Sequence, residues 1–383
     1  MAIATSLNIS RPEESRIAAW MELHSGRLMV LPAVLIVLAF ALFPLIISAY
    51  LSLIRFKLTP GGYKLTFVGF YNFQRLLFGA QQYHFLGTFG VFGPFEWALA
   101  ALAAATFLYW LYRYARYARS PAFRPFGFVG RLICAGTGFA VVLLILATVL
   151  APGGFPGSLM TTLVYVAAGV AAQFAIGLGL ALLCAQPIRF RNWFRVIFFV
   201  PLMVTPVGIA YTFRMLADME KGPLSPLRFA LHLGEFAWAT DPWSARFVVL
   251  LGDTWQWTPF MFIVMLAAVE ARPHEQIEAA RIDGAGPLQI FRHVTWPAIA
   301  PIAATVVLIR LIEAFKIVDL PNVLTNGGPG LATESLTLHA FIAWRTQDLG
   351  GSAALGYFLL FISTVTCVSL FNFGVVRARR YQA

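Results

Sequence analysis

Long apolar runs separated by short, arginine-rich polar joints set the pattern of this chain. A helix needs about 20 apolar residues to cross about 30 Å of hydrocarbon. Eight stretches meet that demand: 28–54, 96–112, 131–150, 159–185, 195–217, 247–269, 297–318 and 353–376. The second is the weakest, because Glu96 and a Tyr/Trp-rich end shorten its apolar part. The pattern predicts an all-α polytopic membrane protein with about eight transmembrane helices. The polar N-terminal segment 1–27 precedes a run too long for a signal-peptide core, which reads as an uncleaved first span.

Composition supports this. Of 383 residues, 59% are hydrophobic and 12% charged, where a soluble domain is nearer half apolar and a quarter charged. The formal charge of +11 raises nucleic acid as a partner. However, the Arg and Lys residues cluster between apolar runs, which fits anchoring to a lipid bilayer and no nucleic acid. With both termini on the cytoplasmic side, inside segments hold about twice as many Arg and Lys as outside ones, the sense of the positive-inside rule. Three residues, Arg214, Arg310 and Lys316, fall within spans. Cys134, Cys184 and Cys367 lie in apolar segments without metal-ligand spacing, so neither a disulfide framework nor a metal site is expected.

Against this background the joint 270–296 stands out, placed on the cytoplasmic side by the charge count. Pro273 suits a first helical turn, and Glu275 and Glu278 place negative charge near the positive end of the helix dipole. Ile277 and Ala280 share one side, and Gly284 stops the helix. Pro287 opens a second short helix, with Leu288, Phe291 and Val294 on one stripe. Pro297 and Pro301 fall in the first turns of the next span. The joint is therefore a projecting helix-turn-helix with a tip of small residues that a partner surface can approach. Its plain alternative is an ordinary interfacial loop.

The run Glu278-Ala279-Ala280, then Asp283-Gly284-Ala285, Phe291, Pro297 and Pro301 resembles the EAA loop of ABC-importer permeases. Here V-T-W-P at 294–297 stands where the family usually has I-T-L-P. "VLTNGGPG" at 323–330, "GFYNFQRLL" at 69–77 and "GDTWQWTPF" at 252–260 are similar to carbohydrate-type permeases of the maltose/glycerol-phosphate kind, larger-subunit type. The resemblance covers the chain from the first span onward except about 80–157. It implies a type I ABC importer permease fold with a two-helix insertion. The chain then divides into 1–27, the first span and periplasmic segment 28–79, the insertion 80–157, the permease core 158–376 and a tail 377–383. A hairpin insertion leaves the downstream orientation unchanged. The resemblance makes Ile277, Glu278, Ala279, Ala280, Asp283, Gly284 and Ala285 the ATPase-coupling residues.

Intramembrane polar groups are costly unless paired or facing a cavity, so they are candidate functional groups. Asp253, Gln256, Trp257 and Phe260 share one helical face, and Arg310, Glu313, Ala314 and Ile317 repeat that spacing on the next span. A carboxylate, an amide and an aromatic ring on one face suit a sugar's hydroxyls and its C–H face. The alternative is that Arg310 pairs with Glu313 and the tryptophans pack helices. In the maltose-type permease the positions matching Asp253, Gln256, Trp257, Phe260, Arg310, Ala314 and Ile317 line the mid-membrane sugar site. Arg310 departs from that pattern and leaves open an anionic solute, such as a phosphorylated or sulfonated sugar derivative.

No G-x-x-x-x-G-K-[ST] is present, and "GLGL" at 177–180 lacks a dinucleotide fingerprint. H-E-x-x-H, G-x-S-x-G and C-x-x-C are also missing, so no catalytic residue is expected and no cofactor in this chain. The resemblance implies an inner-membrane transporter subunit, not an enzyme, with ATP and Mg held by partner ATPase subunits. Its implied partners are a second permease subunit, two ATPase subunits and a periplasmic solute-binding protein. A self-contained secondary transporter of a small polar solute is the alternative. It would show inverted repeats, and none is clear. A membrane enzyme would need a polar cluster at one face, whereas His24, His84, His232, His274, His293 and His339 are scattered.

Overall fold

A break near residue 204 is where the chain departs most from eight straight spans. The computed structural model describes residues 25–26, 29–118, 125–187, 189–218, 221–223, 225–230, 238–272 and 274–372. The tail 377–383, most of the N-terminal segment and the expected helix-opening Pro273 lie outside the described residues. Helix α1, Met29–Ser52, is the first span. A hairpin of β1 (Ile54–Thr59) and β2 (Gly62–Phe67) follows. Then come α2 (Tyr71–Leu77), α3 (Gln82–Phe85), strand β3 (Gly87–Thr88) and helices α4 (Pro94–Ala118) and α5 (Pro125–Ile145). A π-helical turn carries α5 on to Leu150. Strand β4, Phe155–Pro156, pairs antiparallel with β3.

The larger half holds α6 (Ser158–Cys184), α7 (Arg191–Met203), α8 (Pro206–Ala217), α9 (Ser225–Ala230) and α10 (Pro242–Glu270). Helices α11 (His274–Ile282) and α12 (Pro287–Ile290) lead through a π turn, Phe291–Thr295, into α13 (Trp296–Ala314). Short helices α14 (Asp319–Thr325) and α15 (Leu336–Arg345) precede the last span, α16 (Leu349–Leu370).

Seven of these helices are long and apolar enough to span a membrane. The eighth expected span, 195–217, is the bent pair α7–α8, which turns by 99°. Proline explains the bend. Pro201 removes an interior donor of α7, and Pro206 opens α8 while Thr205 caps it by accepting the Gly208 amide. The two small sheets also qualify the all-α expectation: the hairpin strand Ile54–Thr59 alternates apolar and polar residues with period two.

Between transmembrane helices in lipid, close backbone approach replaces the hydrophobic drive. Helices α6 and α10 run in parallel and meet through small residues. A Cβ at Gly177 would sit 2.6 Å from Met261 Cβ, and on the other side of α10 one at Gly252 would sit 2.5 Å from Leu320 Cδ2 of α14. Val166, Val170, Met261, Phe262, Met265, Ile299 and Phe315 fill the core around this seam. At the end of α10, Arg195 pairs with Glu270, and Arg272 donates to Thr295 Oγ1 at 2.6 Å. At its start, Asp241 accepts from the Ser244 amide at 2.7 Å, and hydrogen bonding from Ser244 holds this carboxyl below the usual carboxylate range.

Candidate coupling element and transmembrane polar site

Helices α11 and α12 hang from the end of α10 and carry the expected coupling residues on an open surface. Ile277 is buried, while Ala280 is half-buried. Glu278, Ala279, Asp283 and Gly284 are exposed, and Ala285 is half-buried. Gly284 terminates α11 with φ +79°, a conformation only glycine adopts freely. The Gly284 amide donates to Arg281 O at 3.0 Å and the Ala285 amide to Ala280 O at 2.9 Å, the paired bonds of a Schellman ending. Gln289 Oε1 then accepts the Gly286 amide at 2.8 Å, capping α12. Two large apolar side chains remain in the open at this tip: Ile282 is 86% exposed and Leu288 78%. Leu288 therefore leaves the stripe expected of it, whereas Phe291 packs near Trp296 with ring centroids 6.2 Å apart.

The two polar faces of the spans do meet, but with different partners from those expected. Arg310 Nη2 donates to Asp253 Oδ2 at 2.5 Å and Nε donates to Gln173 Oε1 at 2.8 Å. Gln173 Nε2 closes the ring on Asp253 Oδ2 at 2.8 Å. Asp253 is 4% exposed, Arg310 1% and Gln173 0%. The Arg310 guanidinium also lies over the Trp257 ring, 4.6 Å from its centroid. Trp257 and Phe260 are half-buried, edge to face at 6.1 Å, and Gln256 is buried on the same helix. Glu313 pairs with Lys316 at 2.7 Å near the surface, so Arg310 and Glu313 do not pair. Ala314 ends α13, and Ile317 lies beyond it, where its carbonyl accepts from Ser335 Oγ at 2.6 Å.

Gln173 is the triad member absent from the expected site. Its signal was present: an amide inside an otherwise apolar span asks for a partner. Arg246 was likewise not singled out. It is 2% exposed, donates from Nε to Ala332 O at 2.7 Å and lies 4.6 Å from the Trp243 ring centroid. Its acceptor belongs to the segment after the glycine turn. There Gly327 (φ +82°) follows Asn326 in the left-handed region, and Thr333 Oγ1 donates to Gly328 O at 2.9 Å. The turn folds residues 331–335 back against α6 and α10, where Tyr165 donates to Thr333 O at 3.2 Å. An apolar recess of about 390 Å³ lies here, lined by Phe155, Pro242, Pro329 and Leu331 among others. None of the expected substrate residues lines it.

An exposed helix pair on a bundle with a polar seam fits a transport subunit, and comparison with known proteins decides which. Residues 175–381, more than half of the sequence, match the family described as "Binding-protein-dependent transport system inner membrane component". The chain belongs to this family. It is thus an inner-membrane permease subunit of a binding-protein-dependent ABC importer. The secondary-transporter alternative falls with that result.

This permease is 32% identical over 207 residues to the trehalose/maltose transport system permease protein MalF of Thermococcus litoralis, covering 54% of this chain and 68% of that one. It is 29% identical over 229 residues to the sn-glycerol-3-phosphate transport system permease protein UgpA of Yersinia pestis, covering 59% and 76%. With the sulfoquinovosyl glycerol transport system permease protein SmoG of Agrobacterium fabrum it shares 28% over 207 residues, covering 53% and 66%. In fold it is similar to a chain of a bacterial ABC transporter that imports the acidic polysaccharide alginate. The TM-score is 0.51 at 19% identity, over 74% of this chain and 96% of that chain.

Proposed function

We propose that this permease moves a sugar or sugar-like solute into the cytoplasm, paired with a second permease subunit and driven by two ATPase copies. One of the two ATPase copies would engage the helix pair 274–290 through Glu278, Ala279, Asp283 and Gly284, with the buried Ile277 at its base. The observation that carries the coupling role is the combination of a fixed base and an open tip. Ile277 is buried, Arg272 ties the start of the joint to Thr295 at its end, and Ile282 and Leu288 stand uncovered at the tip. A rigid lever with an apolar end is what a docking cleft can grip and move.

The solute class rests on the relatives, whose named substrates are a disaccharide, a glycerol phosphate and a sulfonated glycoside. Two of those three carry an anion, which suits the buried Arg310. In the arrangement described, Arg310 and Asp253 are satisfied within the chain. A solute reaching mid-membrane would meet the half-buried Trp257 and Phe260 first and compete for the triad's hydrogen bonds. ATP-driven closure of the ATPases would pull the lever and rock the spans. Each ligand shifts that equilibrium only by its differential affinity for the two states.

Both termini and the lever would face the cytoplasm, by the arginine bias. Residues 80–157 read as an insertion whose two ends are drawn together by the β3–β4 pairing, with α5 packed on α16. The test of coupling is cross-linking from Ala279→Cys in the assembled complex. An adduct between this chain and the ATPase is expected. A complex that co-purifies but gives no adduct from position 279 would overturn the assignment.

A further inference from the structure

One cluster of chemistry-bearing side chains lies apart from both the lever and the polar triad. His84 of α3, Glu334 after the glycine turn and His339 of α15 bring their ligand atoms within 4.8 Å of one another. His84 Nε2 lies 2.8 Å from Glu334 Oε2, and the two imidazoles stack with centroids 3.6 Å apart. His339 Nδ1 is 2.9 Å from Ser158 Oγ. Glu334 is 1% exposed and His339 3%, and Glu334 Oε1 is buried with no hydrogen-bond partner. The cluster sits by the start of α6. Because α6 and α10 run in parallel, that is the membrane face opposite the lever.

We propose that His84, Glu334 and His339 form a binding site for a divalent transition-metal ion of zinc's class. Two imidazoles and one carboxylate are the donor set of such borderline cations. Calcium and magnesium ask for oxygen ligands throughout. The outer shell is in place as well. A ligating imidazole is oriented by the partner of its other ring nitrogen, and Ser158 Oγ, 2.9 Å from His339 Nδ1, is placed to accept that nitrogen's proton when Nε2 binds the ion.

The orphaned oxygen points the same way. A buried carboxylate oxygen without a partner is costly. A cation placed among the three groups is drawn to the carboxylate as a whole, and it takes both imidazoles once one ring turns out of the 3.6 Å stack. The ligands come from segments about 250 residues apart, so one ion would tie the stretch before α4 to the glycine-turn segment and α15. That is a cap clamp, and it does not depend on the solute or on the lever.

The experiment uses the full chain, purified without a histidine tag and titrated with zinc alone against a chromophoric chelator. Wild type is expected to take up one zinc per chain, and His84→Ala and Glu334→Gln to lose that stoichiometric uptake. Ser158→Ala should weaken it about 10–100-fold, the usual effect of removing an outer-shell partner. X-ray absorption of the loaded chain should show two imidazole nitrogens with oxygen and no sulfur. Absence of stoichiometric uptake by wild type, equal uptake by His84→Ala, or a sulfur-containing shell from the cysteines would each overturn the proposal. If Glu334→Gln fails to fold, His84→Gln decides the matter, because that side chain is 19% exposed on a four-residue helix.

Discussion

Removing the Arg310 guanidinium tests whether the Gln173–Asp253–Arg310 ring is a structural lock. Arg310→Met keeps the apolar stem and deletes two hydrogen bonds, at 2.5 Å to Asp253 and 2.8 Å to Gln173. It leaves Asp253, 4% exposed, with Gln173 as its remaining side-chain partner. Breaking a buried ion pair by removing one partner costs about 3–5 kcal/mol. Loss of the contact with Trp257 adds about 1–2 kcal/mol for a desolvated cation–π pair. Asp253→Asn should also destabilise, since it strands the arginine. The double variant Asp253→Asn/Arg310→Gln restores a neutral hydrogen-bonded set and, with Asp253→Asn and Arg310→Gln as the single variants of its cycle, should recover most of the loss. The cycle should therefore show a coupling of about 2 kcal/mol or more, within the range for residues of one network. The assay is equilibrium unfolding in mixed micelles of rising SDS content. Single variants within about 0.5 kcal/mol of wild type, or a coupling near zero, would refute the lock.

Three further outcomes follow from particular residues. Gly177→Ala places a methyl 2.6 Å from Met261 Cβ and should destabilise the α6–α10 seam by about 1–3 kcal/mol. Gly179→Ala, with nothing within 4 Å, should stabilise by about 0.5–1 kcal/mol in the same unfolding assay. Gly284→Ala forces a Cβ into φ +79° at a cost of about 1–2 kcal/mol; it should lower coupled transport while the protein still inserts, read by uptake alongside membrane fractionation. In a background without the three cysteines, Ala279→Cys should react with an impermeant thiol reagent only from the cytoplasmic side, and Gly61→Cys in the hairpin turn only from outside. Reaction of both from one side would contradict the arginine-based orientation.

Much of the bundle was legible because lipid imposes a simple length rule, and seven expected spans appear as continuous helices. The lever was legible for a different reason. Proline, glycine and charge placement fix its ends locally, and Gly284 does what its position suggested. The kink in 195–217 was not legible, because hydropathy counts apolar residues whichever way the axis turns, although Pro201 and Pro206 marked the spot. Helical spacing put Asp253 and Arg310 on plausible faces. It did not show that they meet each other through Gln173, since that depends on how three helices are rotated together. The His84–Glu334–His339 cluster escaped sequence reading altogether. Ligand-spacing rules see short separations, and here the fold supplies the proximity.

Coupling through residues 274–290 is tested most directly by isolating the tagged chain with its partners and measuring ATPase retention and ATP-driven uptake in reconstituted vesicles. Wild type should bring down an ATPase and transport only with ATP, whereas Glu278→Lys and Gly284→Asp should insert normally and lose both. Uptake by the chain alone, or full ATPase retention and transport in both variants, would contradict it.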